Sequence, residues 1–124
     1  MNGTNFLADT NALIYLLNGN QCMSNYLQKN LYVSVISEME LLSYSGITPD
    51  EEMHIKSFLN DCNEVTLTNE IKDKTIEIRK KYKTKLPDAI IAASAIVKNI
   101  PLITADKGFC QISNLTLELI VPVI

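Results

Sequence analysis

Four acidic residues, Asp9, Glu40, Asp88 and Asp106, are spaced along the chain so that each follows an apolar run or opens a helix. Asp9 closes Asn5-Phe6-Leu7-Ala8, and Asp106 follows Pro101-Leu102-Ile103-Thr104. Glu40 comes soon after Leu31-Tyr32-Val33-Ser34-Val35, and Asp88 opens the run Ala89 to Val97. In an open α/β sheet, ligands bind beyond the carboxyl ends of the strands. Carboxylates gathered there repel one another unless a cation sits among them. Oxygen-only ligands suit Mg²⁺ or Mn²⁺. The chemistry expected of such a set is metal-dependent hydrolysis of a phosphodiester, with Asp9, Asp88 and Asp106 as the main ligands and Glu40 either binding the metal through water or helping to deprotonate the nucleophile. Thr10, Asn11 and Thr104 stand beside these acids and are expected to orient them.

Each acid also has a plain structural use. Asp9 can cap the helix that starts at Thr10. Ser37-x-x-Glu40 reads as a capping box, with Glu40 turned back to the Ser37 amide. Asp88 can complement its helix dipole, and Asp106 can serve the turn Ala105-Asp106-Lys107-Gly108. Taken singly the structural use is favoured. Together, four carboxylates at one edge with no basic residue in the same slot need a reason. Glu38 rivals Glu40, but two positions apart on a helix they face different ways, so only one should reach the site.

The elements that position these residues follow from the apolar pattern. Strands are expected at Phe6 to Ala8, Leu31 to Val35, Glu64 to Thr68, Pro101 to Ala105 and Leu117 to Val121. Helices are expected at Thr10 to Leu17, Met23 to Gln28, Ser37 to Ser45, Thr48 to Asn60, Glu70 to Lys83 and Pro87 to Lys98. Asn18-Gly19 and Gly46 read as helix stops. Strands alternating with helices point to a parallel sheet covered on both faces. The helix from Pro87 is apolar almost all round and should be buried on most sides. In the helix from Glu70, Ile71, Thr75, Ile78 and Tyr82 share one face.

Length and composition bound the function. The chain has 124 residues, which suits one domain, residues 1–124. No apolar run approaches the roughly 20 residues that span a bilayer, and no basic leader precedes Asp9, so a cytoplasmic protein is expected. Cys22, Cys62 and Cys110 are isolated, which excludes a C-x-x-C zinc site and favours reduced, structural thiols. The lone His54, on a helix, gives little support to histidine acid–base chemistry. The net charge of −3 weighs against a nucleic-acid partner, yet seven of the 11 Lys and Arg residues fall between Lys72 and Lys85. Arg79, Lys80, Lys81, Lys83 and Lys85 lead directly into Asp88 and could contact a phosphate backbone. Tyr44 and Tyr82 are candidates for base stacking, although packing is the commoner use of each.

Leu7-Ala8-Asp9-Thr10-Asn11, Ser37-x-x-Glu40-Leu41, Leu86-Pro87-Asp88-Ala89 and Thr104-x-Asp106-x-x-Phe109 resemble, in order and spacing, the motifs of the PIN domain. The likeness covers essentially the whole chain and is to the short bacterial branch, the VapC-like toxins of toxin–antitoxin pairs. It implies a three-layer α/β/α fold with a five-stranded parallel sheet in the order 3-2-1-4-5. It implies that Asp9, Glu40, Asp88 and Asp106 form a Mg²⁺ or Mn²⁺ site of an endoribonuclease acting on RNA. It also implies a homodimer and a cognate antitoxin that blocks the site. Two other roles remain open: a stand-alone PIN nuclease in RNA processing, and a catalytically silent binding module on the same fold.

Overall fold

The computed structural model describes residues 4–124. Within them, five parallel strands form one sheet: β1 (Asn5–Ala8), β2 (Asn30–Ser34), β3 (Asn63–Val65), β4 (Leu102–Thr104) and β5 (Leu117–Leu119). Their order is β3-β2-β1-β4-β5, as the family resemblance implies. The helices are α1 (Thr10–Leu17), α2 (Val35–Leu42), α3 (Pro49–Asn60), α4 (Asn69–Lys81) and α5 (Leu86–Lys98). Short 3₁₀ turns occupy Gln21–Tyr26 and Lys107–Gln111.

Strand alternation builds the three layers. Leu7 and Leu102 face one side and join Ile71, Ile78 and the buried residues of α5. Phe6, Ala8, Leu31, Val33 and Ile103 face the other side and meet Ala12, Leu13, Leu41 and Ile55 from α1, α2 and α3. The central strands are therefore apolar on both faces, as parallel strands beneath two helical layers must be. In α5, Ala89 to Ala95 are all buried. Their small side chains let the helix lie close to α4 and the sheet.

Local signals explain most helix ends. Thr48 and Glu51 form a complete capping box at the start of α3, where Pro49 takes the first turn. Thr68 caps α4 by accepting from the Ile71 amide at 3.2 Å. Gly19 follows α1 with φ +73°, the left-handed conformation that suits glycine after a helix.

Several expected boundaries shift. The capping box at Ser37 does not form. β2 runs into α2 with no loop, and Ser34 is the cap, accepting from the Ile36 amide at 3.1 Å. Val35, β-branched and read as the end of the strand, and Ile36 are the first turn of α2. Glu40 consequently lies in the second turn of its helix. α2 also ends at Leu42, before Gly46, whose φ of +91° belongs to the following loop. The helix expected at Met23 to Gln28 is the 3₁₀ turn Gln21–Tyr26. The strands expected at Glu64 to Thr68, Pro101 to Ala105 and Leu117 to Val121 are three residues long, at Asn63–Val65, Leu102–Thr104 and Leu117–Leu119. α4 stops at Lys81 because Tyr82 is extended, at φ −124° and ψ 151°.

Candidate active site

β1 is where the sheet changes direction: the chain passes from β1 to β2 on one side, and β4 returns to the other side of β1. Such a switch point leaves a crevice at the carboxyl ends of the two strands. Ala8 pairs with Ile103 in register, so the next residues, Asp9 and Thr104, emerge side by side.

Asp9 is buried, at 6 % exposure, and both its carboxylate oxygens are engaged. Oδ1 accepts from the Ala12 amide at 2.8 Å and caps α1. Oδ2 accepts from the Thr104 hydroxyl at 2.5 Å. Thr104 is itself fully buried, and its oxygen also accepts from the Asp106 amide at 3.0 Å. One hydroxyl thus ties the end of β1 to the turn after β4. Burial pushes the Asp9 carboxyl above its ordinary range; the two hydrogen bonds oppose this, and the charges of Asp88 and Asp106 add to it.

Asp106 is exposed and begins the 3₁₀ turn, where its Oδ1 accepts from the Gly108 amide at 2.8 Å. A Cβ on residue 108 would stand 3.0 Å from that oxygen, so glycine permits the close approach. Asp88 occupies the first turn of α5 and is half-buried. Lys85, the cap residue of α5, makes no side-chain cap bond, which leaves Asp88 as the anion at that dipole. Burial first, then the charges of Asp106 and Glu40, push the Asp88 carboxyl up, while Lys85 opposes them.

Glu40 projects from α2 toward α1 and accepts from the Thr10 hydroxyl at 2.5 Å. The Thr10 oxygen also lies 2.9 Å from that of the fully buried Ser37. Thr10 has a single hydroxyl proton, already given to Glu40, so Ser37 is the donor to Thr10. The relay Ser37 to Thr10 to Glu40 holds the glutamate at the crevice. Ser37, read from sequence as a cap, is the residue that sequence reasoning missed. Its only signal is a small polar residue in a helix position facing the first turn of α1.

The structure thus brings Asp9, Asp88, Asp106 and Glu40 to one basin, with Thr104 and Thr10 bonded to acids within it. Asn11 does not join them: it is exposed, and its side chain makes no hydrogen bond among the described residues. Glu38 is also separated from the basin, since its carboxyl pairs with Glu64 and is raised by it. Among the described residues, no three acidic, histidine or cysteine side chains are already drawn together around a metal-sized point. The basin is open rather than a closed cage. Its donors are all oxygen, of one sign, and Asp9 and Asp88 are raised partly by neighbouring carboxylates, which is the donor chemistry a hard divalent cation relieves.

The PIN domain family model matches residues 6–115. The chain belongs to the PIN domain family. Among solved structures, the chain is similar to one in a toxin–antitoxin complex from Klebsiella pneumoniae, with 30 % identity, a TM-score of 0.77 and coverage of 89 % of this chain and 94 % of that one. It superposes on a chain of VapBC2 from Rickettsia felis, bound to a promoter DNA fragment, with a TM-score of 0.83, 23 % identity and coverage of 94 % and 99 %. A DNA-bound VapBC from Salmonella typhimurium gives a TM-score of 0.80 at 19 % identity, over 92 % and 96 % of the two chains. The VapC-like resemblance read from the motifs is thus met by these structures, and those under 25 % identity speak for the fold. A comparison with curated protein sequences gives no match. Among the described residues, no helix is long and apolar enough to cross a membrane.

Proposed function

We propose that this chain is a divalent-metal-dependent endoribonuclease, the toxin of a toxin–antitoxin pair, acting in the cytoplasm as a single nuclease domain and as a homodimer. The observation that carries the proposal is the basin itself, where Asp9, Asp88, Asp106 and Glu40 meet at the switch point of a PIN fold. Asp9, Asp88 and Asp106 would hold Mg²⁺ or Mn²⁺, and Glu40 would reach it through water. The chemistry a bound divalent cation supplies here is activation of water and neutralisation of the charge that develops on a phosphate.

The chain's own residues do the rest. Thr104 fixes the Asp9 carboxylate with one hydroxyl and the Asp106 backbone with the same oxygen. The Ser37–Thr10 relay holds Glu40 by hydrogen bonds, and in this reading Glu40 would take a proton from a water near the phosphate. Arg79, Lys80, Lys83 and Lys85 would position the RNA backbone, which gives affinity without sequence choice, whereas Lys81, expected to join them, holds its ammonium 5.5 Å over the Tyr82 ring.

An antitoxin has a natural seat. A groove of about 420 Å³ beside Glu40 is lined by Ile14, Leu17, Leu41 and Ile55, with Tyr44 and His54 at its edge. A partner lying there could pass a cationic side chain into the basin. Arg suits that task, since its planar fork matches carboxylates.

Expression of the chain alone should arrest bacterial growth, whereas Asp9→Asn should not. Coexpression of a small protein encoded next to it should restore growth and give a stable complex. An RNA-cleaving wild type that is harmless at high expression would make the chain a stand-alone processing nuclease. A metal-indifferent wild type without cleavage would make it a binding module.

A further inference from the structure

A second cleft, of about 500 Å³, lies outside the acidic basin, between the last turns of α4, the loop after it and the first residue of α5. Arg79, Lys80 and Lys83 line it, and all three are exposed. No acid lines it, and among the described residues none of the three cations is paired with a carboxylate. Ile76 and Leu86 give it an apolar floor and are 48 % and 49 % exposed. Tyr82 is a fixed wall, because its hydroxyl accepts from the Ser113 amide at 3.1 Å and meets the Ser113 hydroxyl at 2.8 Å. The Arg79 Nε donates to the Thr84 carbonyl at 3.2 Å, which anchors the guanidinium stem and leaves its other N–H groups free. The Thr84 hydroxyl, on the same wall, is buried and has no hydrogen-bond partner. Lys81 differs from its neighbours. Its ammonium lies 5.5 Å over the Tyr82 ring, and it does not line the cleft.

A ligand complementary to this surface carries negative charge beside a flat apolar face. An apolar peptide would desolvate three unpaired cations, and a bare polyanion would leave the Ile76–Leu86 floor in water. A nucleotide satisfies both halves. We infer that the cleft holds one nucleotide of a single-stranded RNA, its phosphate on Arg79, Lys80 and Lys83 and its base against Ile76 and Leu86. The inference rests on the nuclease reading and deepens it. Leu86 begins α5, and Asp88 lies two residues further on. A strand seated in the cleft therefore passes Lys85 and enters the basin from the α4 side. The cleft sets the direction in which the strand crosses the acids, and it separates the basic segment into cations that grip RNA and one, Lys81, that does not.

The test is binding of a fluorescent 2′-O-methyl RNA hexamer to the full chain in chelator, where cleavage plays no part. Lys80→Gln/Lys83→Gln should weaken binding about tenfold and flatten the salt dependence by about 1.4 in log–log slope, since each contact to a single strand contributes about 0.7. Lys81→Gln/Lys98→Gln makes the same charge change outside the cleft and should stay within about twofold. An abasic hexamer of equal charge should bind the wild type severalfold more weakly. Equal losses for the two pairs, no binding by the wild type, equal affinity for the abasic strand, or displacement of the RNA by a polyglutamate peptide of equal charge would each overturn the cleft. The nuclease reading fails separately. Selective loss at the cleft in a chain that never cleaves RNA keeps the cleft and removes the nuclease. Cleavage by a wild type whose two variant pairs bind alike does the reverse.

Discussion

At the scale of single residues, the basin depends on hydroxyls as much as on carboxylates. Thr104 and Thr10 each bond an acid, and Ser37 supports Thr10. The acids themselves were legible in the sequence, because strand ends and helix starts are marked by apolar runs and turn residues. The hydroxyl partners were not. Thr104 and Asp9 are 95 positions apart, and only the register of β1 against β4 places them together. The two glutamates separate cleanly, since two positions on a helix turn side chains about 200° apart. Glu40→Gln should therefore lower RNA cleavage at least roughly tenfold more than Glu38→Gln, a loss in the lower range for acid–base groups. Comparable losses would show that the orientation of α2 does not govern the chemistry. Neutralising Asp88 probes the repulsion. The carboxyls of Asp9 and Asp88 are raised from 3.8 in the folded chain. A group raised on folding stabilises the fold in its protonated state, and that contribution fades as pH climbs through its folded pKa. In chelator at neutral pH, Asp88→Asn should consequently melt no lower than the wild type, and any advantage should vanish toward pH 4. A clear fall in Tm at neutral pH would assign Asp88 chiefly to the α5 dipole.

At the scale of elements, α1 and the order of the strands were readable because their signals are local or topological. Asp9 to Leu17 carries a cap, an apolar stripe and a glycine stop, and α1 spans the expected Thr10–Leu17. The start of α2 was misread for a physical reason. Ser34 and Ser37 are both competent caps, and Val35-Ile36 favours a strand by propensity; continuity of β2 into α2 chooses Ser34. β3, β4 and β5 are each three residues long, at the sheet edges and within it alike, so propensity read along the chain overran the pairing in all three. The helix that bears Asp88 is held by close packing of small residues. Ala92 has no exposure and Ala93 has none, so extra methylenes there have no space. Ala92→Leu should destabilise the chain by about 1–3 kcal/mol, measured by denaturant midpoint. A neutral result would show that α5 is not packed as tightly against α4 and the sheet as its burial indicates.

At the scale of the whole molecule, the charge is divided rather than merely negative. The net value of −3 conceals an acidic basin and, across the start of α5, a cluster of exposed cations. In the proposed mechanism a substrate phosphate is drawn by the second and accommodated in the first once a cation is bound. The fold places both features beside one helix terminus, so the net charge alone does not describe the surface a partner would meet. The most direct test of the central claim is cleavage of a defined single-stranded RNA by the purified chain, titrated with Mg²⁺ and Mn²⁺ and compared with Asp9→Asn. Asparagine still caps a helix, so α1 should persist while the ligand charge is lost. The account predicts cleavage that appears with the divalent cation, is abolished by chelator and falls at least about a hundredfold in Asp9→Asn. Cleavage that survives the chelator, or that Asp9→Asn leaves unchanged, would contradict it.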